Sequence, residues 1–192
     1  TNGSFLHPNY SEEVQPFTDR QAAEGCYHYL GQAVRRQLVS DVPLGGFLSG
    51  GLDSSAIAHY AVKALGNPER YPCYTIGSAE LKGLSAEGFA EDFPFAQRMS
   101  TNLGTTLQVA DFDDRAIDDI DTLVWMLDEP TPDVAAFAAQ AICRHASRQG
   151  VKVLLYGAGG DDLFTGYRRH LALRSERYWG WAPASARVLL RR

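Results

Sequence analysis

Residues Ser40 to Ala58 read SDVPLGGFLSGGLDSSAIA, an apolar run that passes through a turn of small residues straight into helical periodicity. The spacing predicts a strand over Gly45 to Ser49 and a helix over Ser54 to Leu65, closed by Gly66-Asn67-Pro68. The strand is followed by a helix rather than by a second strand. The helix carries the chain back along the sheet, and the next strand enters parallel to the first by a right-handed crossover. Repeated along a chain, this alternation implies an α/β architecture, with the loops of interest beyond the carboxyl ends of the strands.

The remainder keeps the same alternation. Residues 1 to 17, with Pro8 and Pro16, read as an extended lead-in. Thr18 or Asp19 caps a helix beginning near Gln21, whose apolar positions Ala23, Cys26, Tyr27, Leu30, Ala33, Val34 and Leu38 form one core-facing stripe. Further strands are predicted at Tyr71 to Ser78, Thr105 to Val109 and Val151 to Gly157. Helices are predicted from about Glu91 to Leu103, despite Pro94, from Arg115 to Leu127, and from an Asp133 cap to about Gln149. Asp128-Glu129-Pro130-Thr131-Pro132 breaks the chain between the last two, because neither proline suits a helix interior. A final helix starts near Leu163. The expected fold class is α/β: a Rossmann-like open parallel sheet with helices on both faces.

Composition narrows the class of function. The 192 residues suit one packed domain, or a domain with an extra arm. A net charge of −5 opposes a general nucleic-acid binder, whose phosphate contacts need a basic surface. No apolar run approaches the about 20 residues that span a bilayer, and TNGSFLHPNY lacks the charged and apolar regions of a signal peptide. Cys26, Cys73 and Cys143 are far apart and never form CxxC, which predicts free thiols in a reducing cytoplasm. The chain starts at Thr1 and ends just after a new segment, APASARVLLRR, has begun; it reads as a piece of a longer protein.

Two loops at predicted strand ends carry the chemistry. In the first, Gly50 and Gly51 let backbone N–H groups approach an anion, the following helix adds its positive end, and Ser49, Ser54 and Ser55 add hydroxyls. The Walker lysine is absent, and so is G-x-G-x-x-G. Asp53 is the informative residue, since a carboxylate beside a phosphate site is repulsive unless a cation such as Mg²⁺ lies between them. The second loop, Gly157-Ala158-Gly159-Gly160, leads to Asp161 and Asp162, one of which could share that metal across the crevice. Either loop alone is more often a simple turn; the pairing at two strand ends is what points to a phosphate chain held with a cation.

SGGLDSS (Ser49 to Ser55) resembles the pyrophosphate loop, or PP-loop, of the N-type ATP pyrophosphatases, which adenylate a carboxylate, carbonyl or related oxygen. SDVPLGGFLSGGLDSSAIA, LDEPTPD (Leu127 to Asp133) and VKVLLYGAGGDDLFTGYRRH (Val151 to His170) together resemble the synthetase domain of glutamine-dependent asparagine synthetases, over about Asp19 to Pro183. β-Lactam synthetases and peptide-cyclising relatives share these features. The resemblance implies an adenine nucleotide α-hydrolase-like fold, with residues 18–192 as a synthetase domain truncated at its C-terminus and residues 1–17 leading in from a missing N-terminal domain. It implies a ligase: the aspartate side chain attacks the α-phosphorus of ATP, giving β-aspartyl-AMP and pyrophosphate, and ammonia from a glutaminase domain displaces AMP. Ser49, Gly50, Gly51, Asp53 and Ser54 would hold the pyrophosphate. Phe47 or Leu48, Ile76 and Gly157, with Tyr156 beside it, would line the adenosine pocket largely through backbone. Asp53 and Asp161 would ligate Mg²⁺, and Asp53, Asp161 and Asp162 would serve catalysis. No nucleic acid or membrane partner is implied, and a homodimer is left open.

The chain departs from the family pattern in identifiable places. Asparagine synthetases commonly read S-G-E-G-S-D-E where this chain has Tyr156-Gly157-Ala158-Gly159-Gly160-Asp161-Asp162. Ala158 thus stands where the family carries a carboxylate associated with forming or using the acyl-adenylate, which leaves a different acceptor acid open. Cys26, inside a predicted helix, cannot replace an N-terminal cysteine nucleophile, and a downstream family lysine would fall past Arg192. The 192 residues alone are therefore not expected to complete the reaction, and a nucleotide-binding module without chemistry is the rival from another class.

Other features read more plainly. The six aspartates from Asp111 to Asp121 suit a solvated helix entry, and the five histidines share no ligand spacing. Trp125, Trp179 and Trp181 read as packing residues. Arg168 and Arg169 could reach phosphate or simply lie exposed, and Asp128-Glu129 could border an acceptor pocket or just end a helix.

Overall fold

The computed structural model describes residues 17–77, 89–110, 120–131, 133–164 and 166–167. In chain order the elements are α1 (Asp19–Gln37), β1 (Leu44–Phe47), α2 (Leu52–Leu65), a 3₁₀ turn (Pro68–Arg70), β2 (Cys73–Ile76), α3 (Phe89–Leu103), β3 (Leu107–Ala110), α4 (Ile120–Leu127), α5 (Val134–Arg148), β4 (Val153–Leu155) and α6 (Gly160–Phe164). The four strands form one sheet in the order β3-β2-β1-β4, and every pairing is parallel. The register places Gly46 opposite both Cys73 and Leu155. β1 and β4 are therefore neighbours, and the loops that leave their carboxyl ends emerge side by side.

Alternate strand residues feed two separate cores, as the period-two geometry of a strand requires. Tyr74, Ile76 and Ala110 pack with Leu123 of α4 and Phe137, Ala138, Ile142 and Ala146 of α5. Leu44, Leu48 and Cys73 pack on the opposite face with Val34 of α1, Ala58 and Ala61 of α2 and Ala96 of α3. The sheet is covered on both sides, which is the arrangement expected of an all-parallel sheet.

Caps and breakers account for the element ends. Thr18 caps α1 with a full capping box, its hydroxyl oxygen accepting from the N–H of Gln21 while the Gln21 side chain accepts from the N–H of Thr18. Asp133 caps α5 by accepting from the N–H of Ala135 at 2.9 Å. Gly66 ends α2 at φ +65°, and Asp128 follows α4 at φ +59°, a left-handed conformation that aspartate tolerates better than most side chains.

Several boundaries differ from expectation. α2 begins at Leu52 rather than Ser54 and α6 at Gly160 rather than Leu163, so that Asp53, Asp161 and Asp162 all sit in first helical turns. A carboxylate there is stabilised by the helix dipole, which favours starting the helix on the acidic residue. The core-facing stripe of α1 is only half realised: Val34 is buried and Leu30 and Leu38 half-buried, while Ala23, Cys26, Tyr27 and Ala33 are exposed. α1 touches the body of the fold through its C-terminal half, where Gly31 meets the ring of Tyr60 on α2. Trp125 is 78% exposed rather than packed. Leu123 is the buried residue of α4, and a position two further on points to the other side of a helix. All three cysteines are free thiols. The lead-in up to residue 16, Asp111 to residue 119, Arg168, Arg169, Trp179 and Trp181 lie outside the described residues.

Candidate active site

The first loop is closed by its own serines. The hydroxyls of Ser49 and Ser54 lie 3.0 Å apart, and Ser54 Oγ also donates to the carbonyl of Gly51 at 3.2 Å. The N–H of Gly51 donates to Ser49 Oγ at 3.2 Å, and the N–H of Ser49 to Ser54 Oγ at 3.3 Å. Ser54 is buried while Ser49 is exposed, so this ring ties the loop rim to the core. Gly51 is the N-cap of α2 and gives the helix no side-chain cap. The first bond inside the turn runs from Ser55 N–H to the Gly51 carbonyl at 3.1 Å. Among the described residues the N–H groups of Gly50, Leu52, Asp53 and Ser54 have no hydrogen-bond partner. Four oriented donors at the positive end of a fourteen-residue helix form a site for an anion.

Gly50 is held where only glycine fits. Its φ is +86°, and a Cβ there would stand 2.5 Å from Ala96 N and 2.6 Å from Phe95 Cβ. The loop therefore rests on the backbone of α3, one residue past Pro94.

The second loop packs on the first. A Cβ on Gly157 would lie 2.9 Å from Ser54 N and 3.1 Å from both the carbonyl carbon and Cβ of Asp53. A Cβ on Gly160 would overlap the Asp53 carboxylate, standing 2.6 Å from its Oδ1. The ring centroids of Phe47 and Tyr156, at the ends of β1 and β4, are 5.0 Å apart. The Asp161 carboxylate lies against Gly166, where a Cβ would be 2.9 Å from its Cγ, and the N–H of Gly166 donates to the Asp161 carbonyl at 3.0 Å.

The structure thus brings Ser49, Gly50, Gly51, Asp53, Ser54, Tyr156 and Gly157 together, with Asp161 and Asp162 on the adjoining turn of α6. Leu48 and Ile76, at 1% and 5% exposure, serve the two cores with their side chains, and Leu48 N–H donates to the Tyr74 carbonyl at 2.8 Å. Neither loop contains Lys or Arg over residues 48–55 or 156–164. The Asp53 and Asp161 carboxylates have no hydrogen-bond or ionic partner among the described residues. Those residues contain no group of three or more side chains able to cage a metal ion. A carboxylate without a protein partner suits a cation that completes its shell with phosphate oxygens and water, which is how Mg²⁺ is usually held, and Asp53, beside the loop N–H groups, is such a carboxylate.

Sequence reasoning missed two contacts. Gly160 touches Asp53 across the loops, and Gly50 seats the loop on α3; glycine clusters mark both, but only the fold shows what each glycine faces.

The sequence profile of the family described as Asparagine synthase matches residues 26–192. Amidase chry2 of Gibberella zeae is 30% identical over 193 residues, covering 86% of this chain and 28% of that protein. A putative asparagine synthetase (glutamine-hydrolyzing) of Mycobacterium bovis is 36% identical over 149 residues, covering 76% of this chain and 21% of its own length. A probable asparagine synthetase (glutamine-hydrolyzing) of Schizosaccharomyces pombe is 32% identical over 170 residues, with 81% and 28% covered. The chain spans less than a third of the length of each of these relatives. Matched over most of its length, and carrying the two loops at adjoining strand ends, the chain belongs to the asparagine synthase family.

Proposed function

We propose that this chain is the nucleotide-activating part of an ATP-dependent ligase that forms an amide by adenylating a carboxylate. The observation that carries the reading is the seating of Gly157 and Gly160 on Asp53 and Ser54, which makes one site of two loops. The free N–H groups of Gly50, Leu52, Asp53 and Ser54, with the Ser49 hydroxyl, bind the β- and γ-phosphates as the pyrophosphate leaves. Donors already aimed at the leaving group need no reorganisation as charge develops there. Phe47, Tyr156 and the backbone of Ile76 and Gly157 flank the adenosine. Asp53 and Asp161 hold Mg²⁺, which when bound neutralises polyphosphate charge so that an anionic nucleophile can approach. Asp162, one residue along α6, is the third carboxylate assigned to catalysis.

In the aspartate reading, the side-chain carboxylate attacks the α-phosphorus and gives β-aspartyl-AMP. Ammonia then displaces AMP, supplied by a glutaminase domain of the longer protein of which residues 18–192 are one part. A second reading, activation of a different carboxylate, is favoured by Ala158, which leaves the loop without the acid found there in asparagine synthetases. Among the described residues no helix is long and apolar enough to cross a membrane, and the free thiols fit a cytoplasmic enzyme.

The test is pyrophosphate release by the full-length protein with ATP, Mg²⁺ and a series of acids. Acid-dependent release is expected, and the acid that elicits it names the acceptor. ATP binding without acid-dependent release contradicts the enzyme reading. Asp53→Asn is expected to weaken Mg²⁺-ATP binding, and unchanged affinity removes the metal role from Asp53.

A further inference from the structure

α1 has two faces of helix-packing character, and the fold uses one of them. Gly31 and Val34 are buried, Leu30 and Leu38 pack beside them, and this line meets Tyr60 of α2. A second line, Ala22, Cys26, Tyr29 and Ala33, lies about 110° round the helix from Val34. All four residues are exposed, Tyr29 at 71%. Their spacing of four, three and four is that of the seam along which one helix packs on another. Asp19 and Arg36 continue the seam by one position at each end. Neither side chain has a hydrogen-bond or ionic partner among the described residues, whereas Arg20 pairs with Glu24 at 2.8 Å and Arg35 donates to the Gly31 carbonyl at 3.3 Å.

The seam is symmetric about the Tyr27–His28 peptide: Asp19 and Arg36, Ala22 and Ala33, and Cys26 and Tyr29 each lie equally far from it. A second α1 turned end for end therefore sets Asp19 opposite Arg36, Ala22 opposite Ala33 and Cys26 opposite Tyr29, and the same pairs recur across the two-fold axis. That is the self-complementarity an isologous interface requires. The Tyr29 ring of each copy enters the hole bounded by Ala22, Gly25, Cys26 and Tyr29 of the other. A Cβ on Gly25 would meet nothing within 4 Å, so the hole is open. Parallel pairing would set Asp19 against Asp19 and Arg36 against Arg36, which like-charge repulsion opposes.

We infer that α1 is a homodimerisation element, pairing antiparallel with α1 of a second copy along this seam. No seam residue belongs to the candidate active site, so the inference stands apart from the ATP reading. A single helix pair falls at the small end of specific interfaces, and association in the micromolar range is expected.

The experiment is disulfide trapping in the full-length protein, with Cys26→Ser and Cys143→Ser in every sample to remove the native exposed thiols. Ala22→Cys protein, Ala33→Cys protein and their equal mixture are treated with a mild oxidant at micromolar concentration, and linked peptides are identified by mass spectrometry. The mixture should give a 22-to-33 link about tenfold or more above any 22-to-22 or 33-to-33 link, because like positions stand about 16 Å apart along an antiparallel pair. Adding Asp19→Arg to both proteins should cut that yield about threefold or more, and adding Arg36→Asp as well should restore it, since the exchanged charges again meet their opposites. Both positions are exposed, and each reversal alone should move the thermal midpoint only by its small helix-dipole cost. Links between like positions in excess overturn the antiparallel seam. A 22-to-33 yield that the charge reversal leaves unchanged, or no link at all, overturns the inference too, the last assigning the face to solvent or to another part of the longer chain.

Discussion

Gly50 and Gly150 have almost the same backbone conformation in different surroundings, and the pair separates strain from crowding. Their φ angles are +86° and +84°, but a Cβ on Gly150 would meet nothing within 4 Å. On Gly50 it would meet Ala96 N at 2.5 Å, Phe95 Cβ at 2.6 Å and the Phe95 carbonyl carbon at 2.7 Å. Alanine at either position carries the left-handed penalty of about 1–2 kcal/mol. At Gly50 the obstruction is largely backbone and cannot rotate away, which adds an overpacking cost of about 1–3 kcal/mol. Gly150→Ala should therefore lower the thermal midpoint by about 2–8 °C and Gly50→Ala by about 4–20 °C, at about 2–4 °C per kcal/mol for a domain of this size. The functional readout divides the two more sharply. Gly50→Ala should weaken ATP binding at least tenfold by lifting the loop off α3, whereas Gly150, at the amino end of β4, should leave it unchanged. Differential scanning fluorimetry and nucleotide titration measure both. Equal thermal losses, or undiminished ATP affinity in Gly50→Ala, would show that the loop is not seated on α3.

Three further outcomes follow from the cores and caps. The Tyr71 hydroxyl is fully buried with no hydrogen-bond partner among the described residues and lies against Gly46, so Tyr71→Phe should raise stability by about 1–3 kcal/mol in chemical denaturation; a loss would reveal an unseen partner. Burial pushes the Cys73 thiol from its ordinary value of 9.0 up to about 12, so the unfolded chain ionises first and binds fewer protons. Below pH 9 this group contributes nothing; as pH rises from 9 towards 12, stability should fall with a slope approaching about 1.4 kcal/mol per unit. Cys73→Ala should flatten that slope between pH 9 and 10, and an unchanged slope contradicts the assignment. Asp133→Ala removes the cap of α5 and should cost about 1 kcal/mol in the same denaturation assay, with no effect on nucleotide binding.

Local chemistry made much of the fold legible in the sequence. The branched run VKVLLYG, the SGGLDSS junction and the Asp133 cap mark a strand, a loop before a helix and a helix start, and those elements are present there with shifted ends. The strands expected from Tyr71 and Val151 start later, because these two residues are as buried as strand residues but donate their N–H groups to Pro68 and Ala146 rather than to a neighbouring strand. The α1 stripe was overread for a related reason: periodicity says which side of a helix is apolar, not how much of that side a neighbour covers. Trp125 shows the same limit, since an aromatic residue carries no record of its angle to Leu123. At the site, residue types pointed to phosphate and metal, but the contacts of Gly160 with Asp53 and of Gly50 with Phe95 join residues over a hundred and about forty-five positions apart. Such contacts depend on the strand order β2-β1-β4, which local pattern does not encode.

The central claim is that these two loops activate a carboxylate at the α-phosphorus of ATP. Its most direct test is the fate of the acid's own oxygen. The full-length protein is incubated with ATP, Mg²⁺, a nitrogen donor and an acceptor acid labelled with heavy oxygen in the reacting carboxylate, and the AMP is analysed by mass spectrometry. Attack at the α-phosphorus predicts AMP carrying one labelled oxygen for each amide formed, with unlabelled pyrophosphate. Label in inorganic phosphate with ADP as co-product, or amide formed beside unlabelled AMP, would contradict the account.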